Sequence, residues 1–252
     1  MPLSASGYPL LGSTRNCTIR ELASLLATLT VMADRDIYDL MRCAPTTRRF
    51  SDEPVPRVAL ERVLDAARFA PSGGNRQGWR VIVITDPTTR RRMRELYVPH
   101  WEAYMEATGG RAALDAGPAS GLRPGRLRTL AAADEYARTL DRAPVHLLVC
   151  VALDALVITD AQLDRESIVG GASIYPFVQN ILLGLRAEGL GAAFTTLIVP
   201  AERQLRDLLA IPSDVAVAGH IAVGRRVEPW PVALSREPPQ RFVFAERFGE
   251  PW

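Results

Sequence analysis

The sequence predicts an α+β or α/β sandwich folded as one domain, and three observations carry that prediction. Apolar strand-like runs alternate with amphipathic helical stretches along the chain. The 252 residues are enough for one large core, able to bury roughly 70% of the unfolded surface. With 48% hydrophobic and 23% charged residues, the composition is that of an ordinary soluble globular protein.

Residues 1–33 read differently from the rest. The segment up to Asn16 is rich in Ser, Gly, Pro and Leu without a period. Leu22–Val31 is apolar but lacks a basic region directly ahead of it and a small-residue cleavage site, so export is the weaker reading. The first 31 residues read as a poorly packed upstream extension, with the domain starting near Asp34.

From there the elements follow in order. Asp36–Arg42 reads as a short helix, and Arg57–Ala70 as an amphipathic one with Leu60, Val63, Leu64 and Ala67 on one face. Pro71–Asn75 breaks it. Trp79–Thr85 is a buried strand, and Asp86-Pro87 opens a helix to about Tyr97, with proline in its first turn. Residues 98–143 hold two broken helical stretches around the Gly/Pro-rich segment Ala116–Gly125. A long insertion of this kind reads as a lid, a binding loop or a disordered segment. Val145–Leu153 is a strand. Ser167–Glu188 is the longest helical pattern, with Ile174, Val178, Ile181, Leu182 and Leu185 on one stripe and Gly189 at its end. Ala192–Ile198 is a strand, Pro200–Leu209 a helix and Val215–Val223 a strand. The tail, Arg225–Trp252, has five prolines set among aromatics. It is too apolar for a free tail and reads as wrapping over a neighbour.

Several function classes fall away. No apolar run approaches the ~20 residues of a bilayer span, and a net charge of +2 is too even for a nucleic-acid or membrane surface. Every one of the 30 basic residues is arginine, so anions must be held by guanidinium forks, backbone amides or hydroxyls. Cys17, Cys43 and Cys150 are widely spaced, which fits a reducing cytoplasm and defines no disulfide framework or zinc site. His146 and His220 sit inside strand-like runs and read as core histidines, so no metal is expected. There is no G-x-G-x-x-G after a strand, no P-loop and no G-x-S-x-G elbow.

Two stretches could carry chemistry. Thr46-Thr47-Arg48-Arg49-Phe50, ahead of a helix, sets hydroxyls beside arginines, as a phosphate or ring-oxygen site requires. Taken alone, a solvated arginine pair explains it better. Pro71–Arg80 (PSGGNRQGWR) combines glycines, which let the backbone approach a flat ligand, with Asn and Gln side chains that both donate and accept. A plain loop would explain the glycines but not the Asn-x-Gln-x-Trp.

Together with "VGGASIYPFVQNILLGLRAEGLGAAFTT" and "LLAIPSDVAVAGHIAVGRR", these stretches resemble the FMN-dependent nitroreductase family over about Asp34–Phe248. The resemblance implies an α+β sandwich with a central mixed or antiparallel sheet flanked by helices. It also implies a homodimer joined through the long helix, with FMN at the subunit interface. By motif position, Thr46 and Arg48 would contact the flavin phosphate or pyrimidine edge, with Arg48 stabilising charge near N1 and O2. Ser72 and Asn75 would line the ring. Phe194, Thr195, Thr196 and Leu197 match the loop near N5, although core packing accounts for Phe194 and Leu197 equally. Arg236, with Arg225 or Arg226 beside it, matches a phosphate-gripping basic residue. One departure stands out: the family carries a basic residue five or six positions before the Phe, where this chain has Pro45 and Ala44, with Arg42 nearby.

The implied activity is hydride transfer from NADH or NADPH through flavin N5 to a nitroaromatic, a quinone or a similar small acceptor, with no protein acid or base assigned. The alternatives are flavin fragmentation, dehalogenation or non-catalytic flavin binding.

Overall fold

The computed structural model describes residues 36–252, so the expectation for residues 1–33 lies outside the described residues. Four strands form one antiparallel sheet: β1 (Trp79–Ile84), β2 (Val145–Ala152), β3 (Gly191–Thr195) and β4 (Val215–Gly224), in the order β1-β2-β4-β3. The α+β sandwich is therefore as the sequence predicts, with an antiparallel sheet. Strand β2 lies between β1 and β4 and is buried along its whole length.

Alternation along β2 divides the core into two layers. Val145, Leu147, Val149 and Val151 face α2 (Arg57–Ala67) and α6 (Tyr175–Ala187), while Leu148 and Cys150 face α3 (Pro87–Ala107), α5 (Pro124–Arg138) and α7 (Glu202–Leu209). Two shorter helices, α1 (Ile37–Arg42) and α4 (Gly110–Ala116), join them among the described residues. Among the described residues no helix is long and apolar enough to cross a membrane.

Several boundaries differ from the sequence reading. Helix α3 does not stop near Tyr97 but runs through Pro99 to Ala107. Proline removes one backbone donor, but Met93, Tyr97, Trp101 and Met105 form a buried stripe at four-residue spacing that spans it. The helix begins as expected, with the Asp86 carboxylate accepting from the Thr89 N–H at 2.7 Å. Helix α6 starts at Tyr175 rather than Ser167. Upstream, the Asp160 carboxylate captures the Ser167 hydroxyl (2.7 Å) and the Ile168 N–H (2.9 Å), holding that segment in turns. Helix α2 ends at Ala67 rather than Ala70, and β3 ends at Thr195 rather than Ile198. The 98–143 segment is helical, and Trp101, Met105, Tyr136, Ala137 and Leu140 from it are buried.

Candidate active site

The site is organised by the edge strand β3. The segment before α2 runs beside it: the Thr47 N–H donates to the Ala192 carbonyl at 2.8 Å, and Thr46 forms a parallel bridge with Ala192. This approach depends on Gly191, where a Cβ would lie 2.6 Å from the Thr47 hydroxyl. Thr46 and Arg48 are thereby set next to the end of β3.

The ring of Phe194 is seated from below. Strand β4 carries a bulge at Ala218, since Val149 pairs with Gly219 while Cys150 pairs with Val217. A Cβ on Gly219 would lie 2.5 Å from the Phe194 ring. The bulge thus presents a bare backbone on which the ring rests, a common device beside functional sites.

Thr46, Arg48, Phe194, Thr195, Thr196 and Leu197 together line one side of a cleft of about 380 Å³. Six of the ten residues singled out by sequence meet here. The facing wall comes from α3 and α5: Tyr97, Trp101, Tyr104 and Tyr136. Sequence reasoning missed the α3 residues among them because the helix was ended at Tyr97. The signal was present in the spacing Tyr97, Trp101, Tyr104, which puts three aromatics on one helix face.

The electrostatics keep this wall neutral. Burial pushes the Tyr97 phenol above its ordinary range, against the opposing pull of a hydrogen bond with Thr195 and the Arg48 charge. Tyr136 is pushed well above its usual value, mainly by burial and then by Tyr97, with Arg48 opposing. Both are protonated donors at neutral pH. The Tyr136 hydroxyl is buried without a hydrogen-bond partner among the described residues, an arrangement that costs stability unless something in the cleft accepts from it.

The other four expected residues stand apart from this cleft. Ser72 accepts from the Gln77 N–H at 3.1 Å, within a loop whose Gly73 N–H donates to the Ser173 hydroxyl at 3.0 Å. Asn75 (φ 54°) and Gln77 (φ 49°) in that loop are both left-handed. Such backbone strain clusters at ligand-binding positions. The route from this loop to the cleft is short, because Ser173 lies two residues before Tyr175, whose ring meets Phe194 at 6.1 Å between centroids. Arg225 pairs with Glu53 at 2.9 Å, and Arg236 donates to the Ser235 carbonyl at 2.8 Å.

At the positions where the resemblance calls for a basic residue, Ala44 and Pro45 line a small pocket of about 80 Å³ with Thr46, Arg186 and Trp230. Arg42 does not turn into it and pairs with Asp39 at 3.0 Å instead. The guanidinium there is that of Arg186, from α6. It is buried, donates to the Cys43 carbonyl at 3.1 Å and lies 3.8 Å above the Trp230 ring. The pattern Arg-x-Phe gave no hint of it, since it arrives from far downstream, 143 residues beyond its partner Cys43.

The residues present suit a flat, polar-edged ring with an anionic group. Arg48 is half-buried and charged, the threonine hydroxyls and the orphaned Tyr136 hydroxyl offer polar contacts, and the aromatic wall offers stacking.

Known proteins share the family and the fold of this chain. The Nitroreductase family model matches residues 45–225. An NADH dehydrogenase of Thermus thermophilus is 30% identical over 182 residues, covering 72% of this chain and 82% of that protein. Iodotyrosine deiodinase 1 of Rattus norvegicus is 28% identical over 194 residues, 77% of this chain and 63% of the relative. Among solved structures, an iodotyrosine deiodinase bound to FMN and 3-iodo-L-tyrosine superposes with a TM-score of 0.61 at 24% identity, over 83% of this chain and all of that one. Nitroreductase A of Vibrio parahaemolyticus gives 0.59 at 17%, over 86% of this chain and 78% of that one. The match over residues 45–225 places this chain in the nitroreductase family of oxidoreductases.

Proposed function

We propose that the chain binds FMN in the cleft beside β3 and reduces a small aromatic acceptor with electrons from NADH or NADPH. The observation that carries this reading is the pairing of the Thr46–Arg48 segment and the Phe194–Leu197 segment against an aromatic wall in a cleft of about 380 Å³. FMN, when bound, supplies two-electron chemistry, accepting hydride from a nicotinamide and releasing it to a second substrate.

The protein's part is binding, orientation and charge. Arg48 offers a fixed positive charge at the cleft, without a carboxylate partner within 4.0 Å among the described residues. Held there, it stabilises negative charge on a reduced ring. Arg186 and Arg226 supply guanidinium groups for the phosphate in place of the residues missing at 44 and 45. Arg226 already donates toward the Thr47 hydroxyl at 3.5 Å. Tyr97, Trp101 and Tyr104 exclude water and stack on the acceptor. Ser72, Asn75, Arg225 and Arg236 belong, in this reading, to the site completed by a second copy of the chain in a homodimer. The cytoplasm, with its nicotinamide pool, is the fitting compartment.

A second reading of the same cleft is reductive dehalogenation, favoured by the deiodinase relatives. An aryl–halogen bond would then be replaced by aryl–hydrogen, two electrons and a proton entering and halide leaving.

The test is the visible spectrum of the purified protein, followed by anaerobic addition of NADH and NADPH. Yellow protein that releases FMN rather than FAD on denaturation, and bleaches with either donor, is expected. Colourless protein that ignores added FMN overturns the reading.

A further inference from the structure

Two clefts meet at Arg48. One is the aromatic cleft described above. The other, also of about 380 Å³, shares only Arg48 with it and is lined further by Arg49, Arg142, Glu135 and Thr139. Three guanidinium groups thus face a basin that holds one carboxylate. They come from two separate segments, the strand-flanking loop at Arg48–Arg49 and the turn Leu140–Arg142 that follows α5.

Arg48 and Arg142 have no carboxylate within 4.0 Å among the described residues. Arg49 pairs with Glu228 at 3.5 Å, a carboxylate that Arg226 shares at 3.6 Å. Gathered cations that outnumber their counter-charges repel one another and gain when an anion enters. Guanidinium forks match the two oxygens of a carboxylate in particular. The neighbouring aromatic cleft fixes what the anion is attached to, since Tyr97, Trp101 and Tyr104 present ring faces and edges next to Arg48.

We propose that the Arg48–Arg49–Arg142 basin receives the carboxylate of an acceptor whose aromatic ring occupies the adjoining cleft, so that the enzyme selects aromatic acids over neutral arenes. This rests on reading the aromatic cleft as the reaction site. Arg48 serves both clefts, and Arg49 and Arg142 determine specificity by drawing the charged substituent past it.

The experiment compares 3-phenylpropionate with 3-phenylpropionamide, two ligands of nearly equal shape that differ in charge. Each is titrated into the purified protein with the flavin it carries, followed by tryptophan fluorescence and by flavin absorbance. The Trp101→Phe variant assigns the fluorescence change to the cleft. The acid should bind at least about tenfold more tightly than the amide, the scale of one charged hydrogen bond. Raising salt should narrow the difference. In an Arg49→Gln/Arg142→Gln double variant the acid should lose most of its advantage, keeping only what Arg48 supplies, with the amide and the flavin content unchanged. Equal binding of acid and amide, a preference undiminished in the double variant, or no binding of either compound overturns the proposal. Flavin loss from the double variant also overturns it, because the basin would then hold the cofactor's phosphate. Bleaching of the same preparations with NADH reports separately on the proposed reaction.

Discussion

The indole N–H of Trp101 donates to the Asp134 carboxylate at 2.8 Å, and this one contact ties the aromatic wall of the cleft to the helix behind it. The same carboxylate accepts from Arg111 at 2.8 Å and from Arg138 at 3.3 Å. Helices α3, α4 and α5 therefore converge on a single side chain, and the wall is held by an ion network rather than by a hinge.

Replacing Asp134 with alanine should lower stability by about 1–3 kcal/mol, because it leaves a part-buried indole N–H and two guanidinium groups without their acceptor. For a domain of this size that is a fall in melting temperature of roughly 3–10 °C. Calorimetry on the variant measures it, and a shift in tryptophan emission reports the loosened wall. The network also has an acid limit. Burial pushes the Asp134 carboxyl up, but the hydrogen bonds from Arg111 and Trp101 and the Arg111 and Arg138 charges bring it down to about 2. A carboxyl lowered on folding contributes stability that is complete above its unfolded value near 3.9 and fades as pH drops toward about 2. The alanine variant should lose less stability than the parent over that interval.

A second acid-sensitive element lies in the sheet. His146 and His220 are fully buried with ring centroids 4.8 Å apart. His146 donates from Nε2 to the Leu140 carbonyl at 3.0 Å, whereas both His220 nitrogens lack a partner among the described residues. Burial lowers His146 to about 4, and burial and then His146 lower His220 well below its usual value. The unfolded chain therefore binds more protons than the folded one below about pH 6.5. Stability should fall from there toward pH 4, by about 1.4 kcal/mol per pH unit for each imidazole. His220→Leu removes one of the two groups and an unsatisfied buried ring, so it should halve that slope without weakening the fold at pH 7. Urea melts at pH 7, 6 and 5 test this. An unchanged slope would show that other groups set the acid sensitivity.

The sequence made the floor of the site legible and left its wall dark, for physical reasons. Thr46, Arg48 and Phe194–Leu197 belong to short local patterns, and strand pairing then places them together without further information. Tyr136 and Asp134 carry no local signature. Their roles arise when α5 packs on α3, an arrangement that residue spacing within either helix does not encode. Pro99 hid the second half of α3, because local propensity argues for a stop where the buried Trp101 and Met105 hold the helix on. Arg186 was unreadable for a related reason, since its partner Cys43 lies 143 residues away. By contrast, the core stripe Ile174, Val178, Ile181, Leu182 and Leu185 was plain from its period, and all but the half-buried Leu182 are buried.

The Tyr136 hydroxyl offers a test that separates binding from folding. Without a partner among the described residues, its loss costs the flavin-free fold nothing, and Tyr136→Phe should keep or raise the melting temperature of apoprotein. If the hydroxyl donates into an occupied cleft, the same change should weaken FMN binding by about tenfold, the value of one hydrogen bond lost beside a charged group. Flavin titration of apoprotein measures the second effect. A clear drop in apoprotein stability would mean the hydroxyl is already satisfied.

The last expectation concerns assembly. The stripe on α6 that would suit an interface is spent inside the subunit, since Ile181 and Leu185 are fully buried in its own core. Large apolar side chains are exposed elsewhere: Phe69 at 71%, Ile168 at 76%, Phe248 at 94% and Trp252 at 84%. Phe69 adjoins the Pro71–Gln77 loop and Ile168 precedes the turn that leads into α6. The two segments are linked by the hydrogen bond between Gly73 and Ser173. A second copy of the chain seated on Phe69 and Ile168 would cover them while bringing Ser72 and Asn75 toward another subunit's cleft. The expected assembly is a homodimer with two equivalent sites and an interface above ~2,000 Å² in total. A Phe69→Asp/Ile168→Asp variant alters surface positions only, so each subunit should still fold, as circular dichroism would show. It should run as a monomer and lose flavin, because a cofactor held between subunits stabilises their association by mass action. Light scattering with absorbance detection at the flavin band follows mass and cofactor together. A parent protein that runs as a monomer with FMN bound would place the whole site within one chain.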